Sequence, residues 1–176
     1  MPRSLVEVGS IQDQVVTNSL QVTGNTTVAN MSEKCIIDNR VPSGEMEIDL
    51  SKGTFHYFVN NASDDFQFAF VDKSTNVATE IVSAGQILTV GVLITNGSTA
   101  YRMSNATISG TTIKDNAIWK GADGAPSEGT ANGVDPYIFH FVKDHTGQLK
   151  VLGSATSTGG TLSTGVQGPI TPGQQA

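Results

Sequence analysis

From Gly44 to Leu152, apolar side chains recur at every second residue in short runs, and each run ends in a small polar turn. Met46, Ile48 and Leu50 alternate with acidic residues. Phe55, Tyr57 and Val59 share a parity opposite to His56 and Phe58, and Phe66, Phe68 and Phe70 alternate with Gln67 and Ala69. A period of two is the signature of a strand, because successive side chains leave a pleated backbone on opposite faces. Ile87 to Ile94 is more continuously apolar and reads as a strand covered on both faces. Ala100 to Met103, Ile108 and Ile113 mark shorter strands. Tyr137, Phe139 and Phe141 lie opposite Ile138, His140 and Val142, which predicts a central strand. Asp144-His145-Thr146-Gly147 then turns the chain, so that Leu149, Lys150 and Val151 pair back as a hairpin.

No stretch offers the run of Ala, Leu, Glu, Lys and Arg that a long helix needs, and 19 glycines sit among many Ser, Thr and Asn. The expected fold is therefore all-β: an antiparallel β-sandwich, jelly-roll-like, over residues 41–153. Residues 1–40 carry no Trp, Tyr or Phe. Their short strands cannot bury enough surface alone, and three copies wound together would share a thin core. Val15, Leu20, Val22 and Val28 are the expected contacts of such a trimeric stem. A loose N-terminal arm is the other reading of this segment. Residues 154–176 are Gly, Ser, Thr, Pro and Gln with few apolar side chains, and are expected to be a flexible tail.

A net charge of −6 without a basic cluster disfavours nucleic acid as a partner, because affinity for phosphate rests on Lys and Arg. Cys35 is the only cysteine, so burial and strand pairing must hold the fold, as suits a protein made in a reducing cytoplasm. The first residues lack a basic segment followed by an apolar core, so no secretory leader is expected. No apolar run approaches the roughly 20 residues of a membrane span, and no membrane insertion is expected.

Candidate chemistry is sparse. His140, Asp144 and His145 are close in sequence, but one histidine lies in a strand and the other in a turn, so no metal site is assigned. Asp64-Asp65 and Asp123 with Glu128 match no calcium-loop spacing and read as solvated turn carboxylates. Gly-x-Ser-x-Gly is absent, and no nucleophile has a placed base. The chain is expected not to be an enzyme and to need no cofactor. Asn25, Asn30, Asn61, Asn96 and Asn105 begin Asn-x-Ser/Thr triplets, which this composition produces by chance. Trp119, in the Gly-rich stretch 118–126, is expected to plug the core with its indole N–H on a backbone carbonyl. The rival reading stacks it on a sugar ring. Tyr137 and Tyr101 join it as candidate ligand or packing positions.

The order of these features resembles a β module of tailed-bacteriophage virion proteins, found in tail fibres and other parts of the particle, often in phages of marine bacteria. Ile48-Asp49-Leu50-Ser51 opens it. A Phe-rich strand and a Leu/Val/Ile strand follow, then Ile118-Trp119-Lys120-Gly121 with Pro126, then Asp135 and Tyr137, and a closing hairpin. The resemblance covers residues 44–153, and Trp119, Gly121, Pro126, Asp135 and Tyr137 are its recognisable positions. Pro136 departs from the pattern and predicts a strand that begins one residue later or lies at an edge there. The resemblance implies a virion structural protein, made in the host bacterial cytoplasm and assembled as a homotrimer with other tail or capsid proteins. A short fibre or tail appendage is the expected position, and a capsid decoration protein is the alternative. A carbohydrate-binding module that reads a host-surface glycan is the rival of another class.

Overall fold

The computed structural model describes residues 33–74, 82–113, 117–119 and 128–155. Among these the protein is all-β, with ten strands and no helix: β1 (Cys35–Asp38), β2 (Gly44–Asp49), β3 (Phe55–Asn61), β4 (Phe66–Val71), β5 (Ile87–Thr95), β6 (Met103–Ile108), β7 (Thr111–Thr112), β8 (Ile118–Trp119), β9 (Val134–Lys143) and β10 (Leu149–Ala155). They form a six-stranded sheet in the order β1-β3-β5-β9-β10-β8 and a four-stranded sheet in the order β2-β4-β6-β7. The six-stranded sheet takes in β1, within the segment expected to be an arm. Its Ile36 and Asp38 are half-buried where β1 lies beside β3.

The expected antiparallel pairing is corrected: both sheets are mixed, and five of the eight strand pairs among the described residues are parallel. The cause is the route of the chain. From β1 to β6 each strand belongs to the other sheet from the one before it. The strand in one sheet therefore serves as the return for its two neighbours in the other, which run the same way. Parallel neighbours need such a crossover, usually supplied by a helix. Hairpin pairing appears only where consecutive strands stay in one sheet, at β6·β7 and β9·β10. The latter is the hairpin expected from Asp144 to Gly147, and its turn is held by the Asp144 carboxylate, which accepts from Thr146 Oγ1 at 2.6 Å and from the Gln148 backbone at 3.0 Å.

β9 is central, paired with β5 on one side and β10 on the other. It starts at Val134, ahead of the start that Pro136 suggested. Gly133 and Lys143, just at its ends, bond their backbones to Asn96 and to Gly85 and Gln86, at the two ends of β5. Because donors alternate sides along an antiparallel strand, Pro136 turns its nitrogen toward β10, which ends at Ala155 opposite Tyr137. The missing amide thus falls just past the last described pair of that ladder.

The core is dominated by rings. Phe66, Phe68 and Phe70 on β4 and Tyr137, Phe139 and Phe141 on β9 are all at most 1% exposed. They join the two sheets edge to face, with Phe68 at 5.3 Å from Tyr137 and Phe70 at 5.0 Å from Phe139 and 5.3 Å from Phe141. Each such pair adds about 0.5–1.5 kcal/mol beyond the burial of its area. The alternation of β4 is what aims three rings in one direction. Phe68 contacts four other rings. Phe68→Ala should therefore cost about 3–5 kcal/mol in a denaturant titration, and a loss below about 1 kcal/mol would mean that the ring cluster does not join the sheets.

Candidate functional site

Trp119 and Tyr137, two of the three aromatic positions singled out in the sequence, lie in the core. Trp119 keeps 9% of its surface and packs edge to face on Phe139 at 5.7 Å. Its six-membered ring lies against Gly153, where a Cβ would come within 2.7 Å of two ring carbons. β8 runs beside β10 with Trp119 opposite Gly153, so the ring folds back over a position that only glycine leaves open. Tyr137 is 1% exposed, and its Oη accepts from the backbone N–H of Met103 at 3.3 Å. Burial pushes its phenol above the ordinary range, and the nearby Asp135 adds to the shift. Val15, Leu20, Val22 and Val28 lie outside the described residues.

Tyr101 is half-buried and held through its backbone. Its N–H donates to Asn96 Oδ1 at 3.3 Å, and its carbonyl accepts from Asn96 Nδ2 at 3.1 Å. The same Asn96 amide donates to Asp135 Oδ2 at 2.9 Å, which also accepts from the Thr130 backbone at 2.9 Å. Asn96 and Asp135 are each 2% exposed. Together they staple the segment after β5 to the segment before β9. Asn96 was visible in the sequence as a triplet asparagine, but its fixed amide was not.

A polar groove of about 300 Å³ is lined by side chains of β1, β2 and β3 together with Arg40, Lys52 and Lys73. Arg40 clasps it. Its guanidinium grips the Asp38 carboxylate through Nε at 2.9 Å and Nη2 at 2.6 Å, donates to the Glu47 carbonyl at 3.1 Å, and lies 5.4 Å from the centre of the Phe58 ring. One side chain thus ties β1, an edge of the six-stranded sheet, to β2, an edge of the four-stranded sheet. That hydrogen bonding holds the Asp38 carboxyl below the usual carboxylate range. Lys73 pairs with Glu47, and Lys52 lies 3.7 Å from Asp49. Burial works against the Asp49 carboxylate, but bonds from the Ser51 hydroxyl and from the Ser51 and Lys73 backbones outweigh it and lower its pKa. His56, 3% exposed, bonds through Nε2 to the Gly53 carbonyl at 3.0 Å, and burial pushes its pKa down.

The remaining histidines are apart. His140 Nδ1 hydrogen-bonds Thr89 Oγ1 at 2.9 Å on β9, and His145 is exposed in the hairpin turn. Asp65 accepts from the Arg102 backbone at 3.1 Å, and Asp64 from the Asp65 backbone at 2.8 Å. Asp123 lies outside the described residues. Among the described residues no three His, Cys, Asp or Glu side chains are grouped to hold a metal ion, and no helix is long and apolar enough to cross a membrane. No protein-family model matches the chain, and neither a curated protein nor a solved structure matches it.

Two outcomes follow from this geometry. Gly153→Ala should force Trp119 out of place, costing about 1–3 kcal/mol and shifting its fluorescence; unchanged stability and emission would mean the ring is not seated there. A buried neutral His56 makes the unfolded chain bind the extra proton first. Its contribution is therefore intact above the ordinary histidine value of 6.5 and is lost as pH falls from there toward the lowered folded value. Thermal stability should drop between about pH 7.5 and 5.5, and His56→Gln should flatten that slope; an equal slope in both proteins would remove His56 as the cause.

Proposed function

We propose that this chain is a structural subunit of a tailed-bacteriophage particle, a component of a short fibre or tail appendage. Its two sheets stack as a sandwich, and copies join as a homotrimer through inter-subunit β packing. Val15, Leu20, Val22 and Val28 form the trimeric stem, and the partners are neighbouring tail or capsid proteins. The motif order across residues 44–153 supports the class.

The observation that carries the reading is how the protein uses its polar groups. A site built for catalysis holds donors and charges aimed at where charge develops in a transition state. In the groove each cation instead faces a carboxylate of the same chain: Arg40 with Asp38, Lys73 with Glu47, and Lys52 with Asp49. Arg40, bonded to both Asp38 and Glu47, ties one sheet edge to the other. The rings, Trp119 among them, pack on one another in the core. These are the features of a rigid part. Packing of Trp119 on Phe139 and Gly153 also weakens the carbohydrate-binding alternative that relied on that ring.

Cryo-electron microscopy of particles from the producing host tests the proposal. Density for this chain on the tail is the expected result. Density on the head alone would move the assignment to a decoration protein, and purified particles lacking the chain would overturn it.

A further inference from the structure

The outer face of the six-stranded sheet, turned away from the ring core, is almost free of charge. Strand register sets side chains of five strands in rows across it: Cys35, Phe55, Gly91, Ile138 and Ser154 in one row, and Ile37, Tyr57, Leu93 and Pro136 in the next. A Cβ at Gly91 would come within 2.6 Å of the Phe55 ring and 3.3 Å of Ile138, so the Phe55 ring lies across the glycine toward β9. Thr89, His140 and Leu152 make a third row, in which Thr89 and His140 satisfy each other at 2.9 Å. Ile37 remains 57% exposed and Leu152 39%. In a chain of net charge −6, the outward positions of β1, β3, β5, β9 and β10 include no Asp or Glu. Depletion of charge around apolar and aromatic side chains is the composition of an interface core, and contiguous apolar patches on a protein surface mark contact sites.

We infer that this face binds the same face of a second copy of the chain. The inference rests on the reading of the protein as a self-assembling subunit and adds a contact separate from the stem. Two arguments select this occupant. The first is electrostatic: two copies of an acidic protein repel each other, and here they meet where neither presents a carboxylate. The second is size. Five strands spaced at about 4.8 Å, with about eight residues of length at about 3.3 Å each, give a footprint of roughly 600 Å² in plan. That is the order of the ~800 Å² per partner in a stable complex. Among the described strands, edge-to-edge addition is disfavoured. β7 and β8 have two residues each and β1 four, while β2 carries Glu45, Glu47 and Asp49. Short and charged edges resist pairing with another chain.

The test uses the full chain with its stem disabled by Leu20→Asp and Val22→Asp, and light scattering at about 10 to 100 µM. The expected mass is twice the 18.4 kDa of one chain. Adding Ile37→Glu and Leu152→Glu, both exposed positions, should return it to one chain mass with an unchanged far-ultraviolet spectrum. The inference is overturned if the stem-disabled chain is already a monomer, or if its dimer survives the two face carboxylates. A dimer mass both before and after disabling the stem counts instead against the trimeric stem, and leaves the face as the contact.

Discussion

The edge-to-face meeting of the β4 rings with the β9 rings is the interaction on which the rest of the structure depends. Without a disulfide, and with only 6% aromatic residues, the protein gathers most of its large rings into one cluster. Phe68 touches Tyr137 and Phe139, Phe70 touches Phe139 and Phe141, and Trp119 closes on Phe139 from β8. Edge contact in one pair sets ring tilt in the next, so the cluster defines the relative register of β4 and β9. Arg40 then holds β1 to β2, the first strand in the order of each sheet.

Much of this was legible because alternation reports geometry directly. Phe66, Phe68 and Phe70 could occupy one face of a strand and nothing else, and the Asp144–Gly147 turn announced the β9·β10 hairpin. The direction of pairing was not legible. Alternation is the same in a parallel and an antiparallel strand, and short polar turns suggest hairpins by default. Here those turns carry the chain from one sheet to the other. The inward face of β3 was equally hidden. Phe55, Tyr57 and Val59 are as apolar as His56 and Phe58, yet His56 and Phe58 are the buried pair. Both faces of that sheet are apolar, so the pattern has two solutions.

The polar features were the least readable. Asp38 and Arg40 are two residues apart, a spacing that signals nothing, and their meaning comes from Glu47, whose carbonyl is brought near by the crossover into the second sheet. Asn96 and Asp135 are 39 residues apart and meet only because β5 and β9 are neighbours. Trp119 stood out in the sequence by being alone, but Gly153, which makes its seat, is one of 19 glycines. A seat made by the absence of a side chain leaves no mark in a pattern of side chains.

The shuttling of the chain between sheets also governs how it can fold. β3 and β5 must find each other with all of β4 between them, and β4 must find β6 across β5. Every such pairing closes a long loop before it gains any contact, and folding rates fall steeply as contacts become less local. Only the β6·β7 and β9·β10 hairpins can form early from neighbouring residues, and β9·β10 is the longer of the two. Until the earlier strands thread into place beside it, Phe139 and Phe141 are open to water and to other chains. A nascent molecule is thus at its stickiest when its last strands are made.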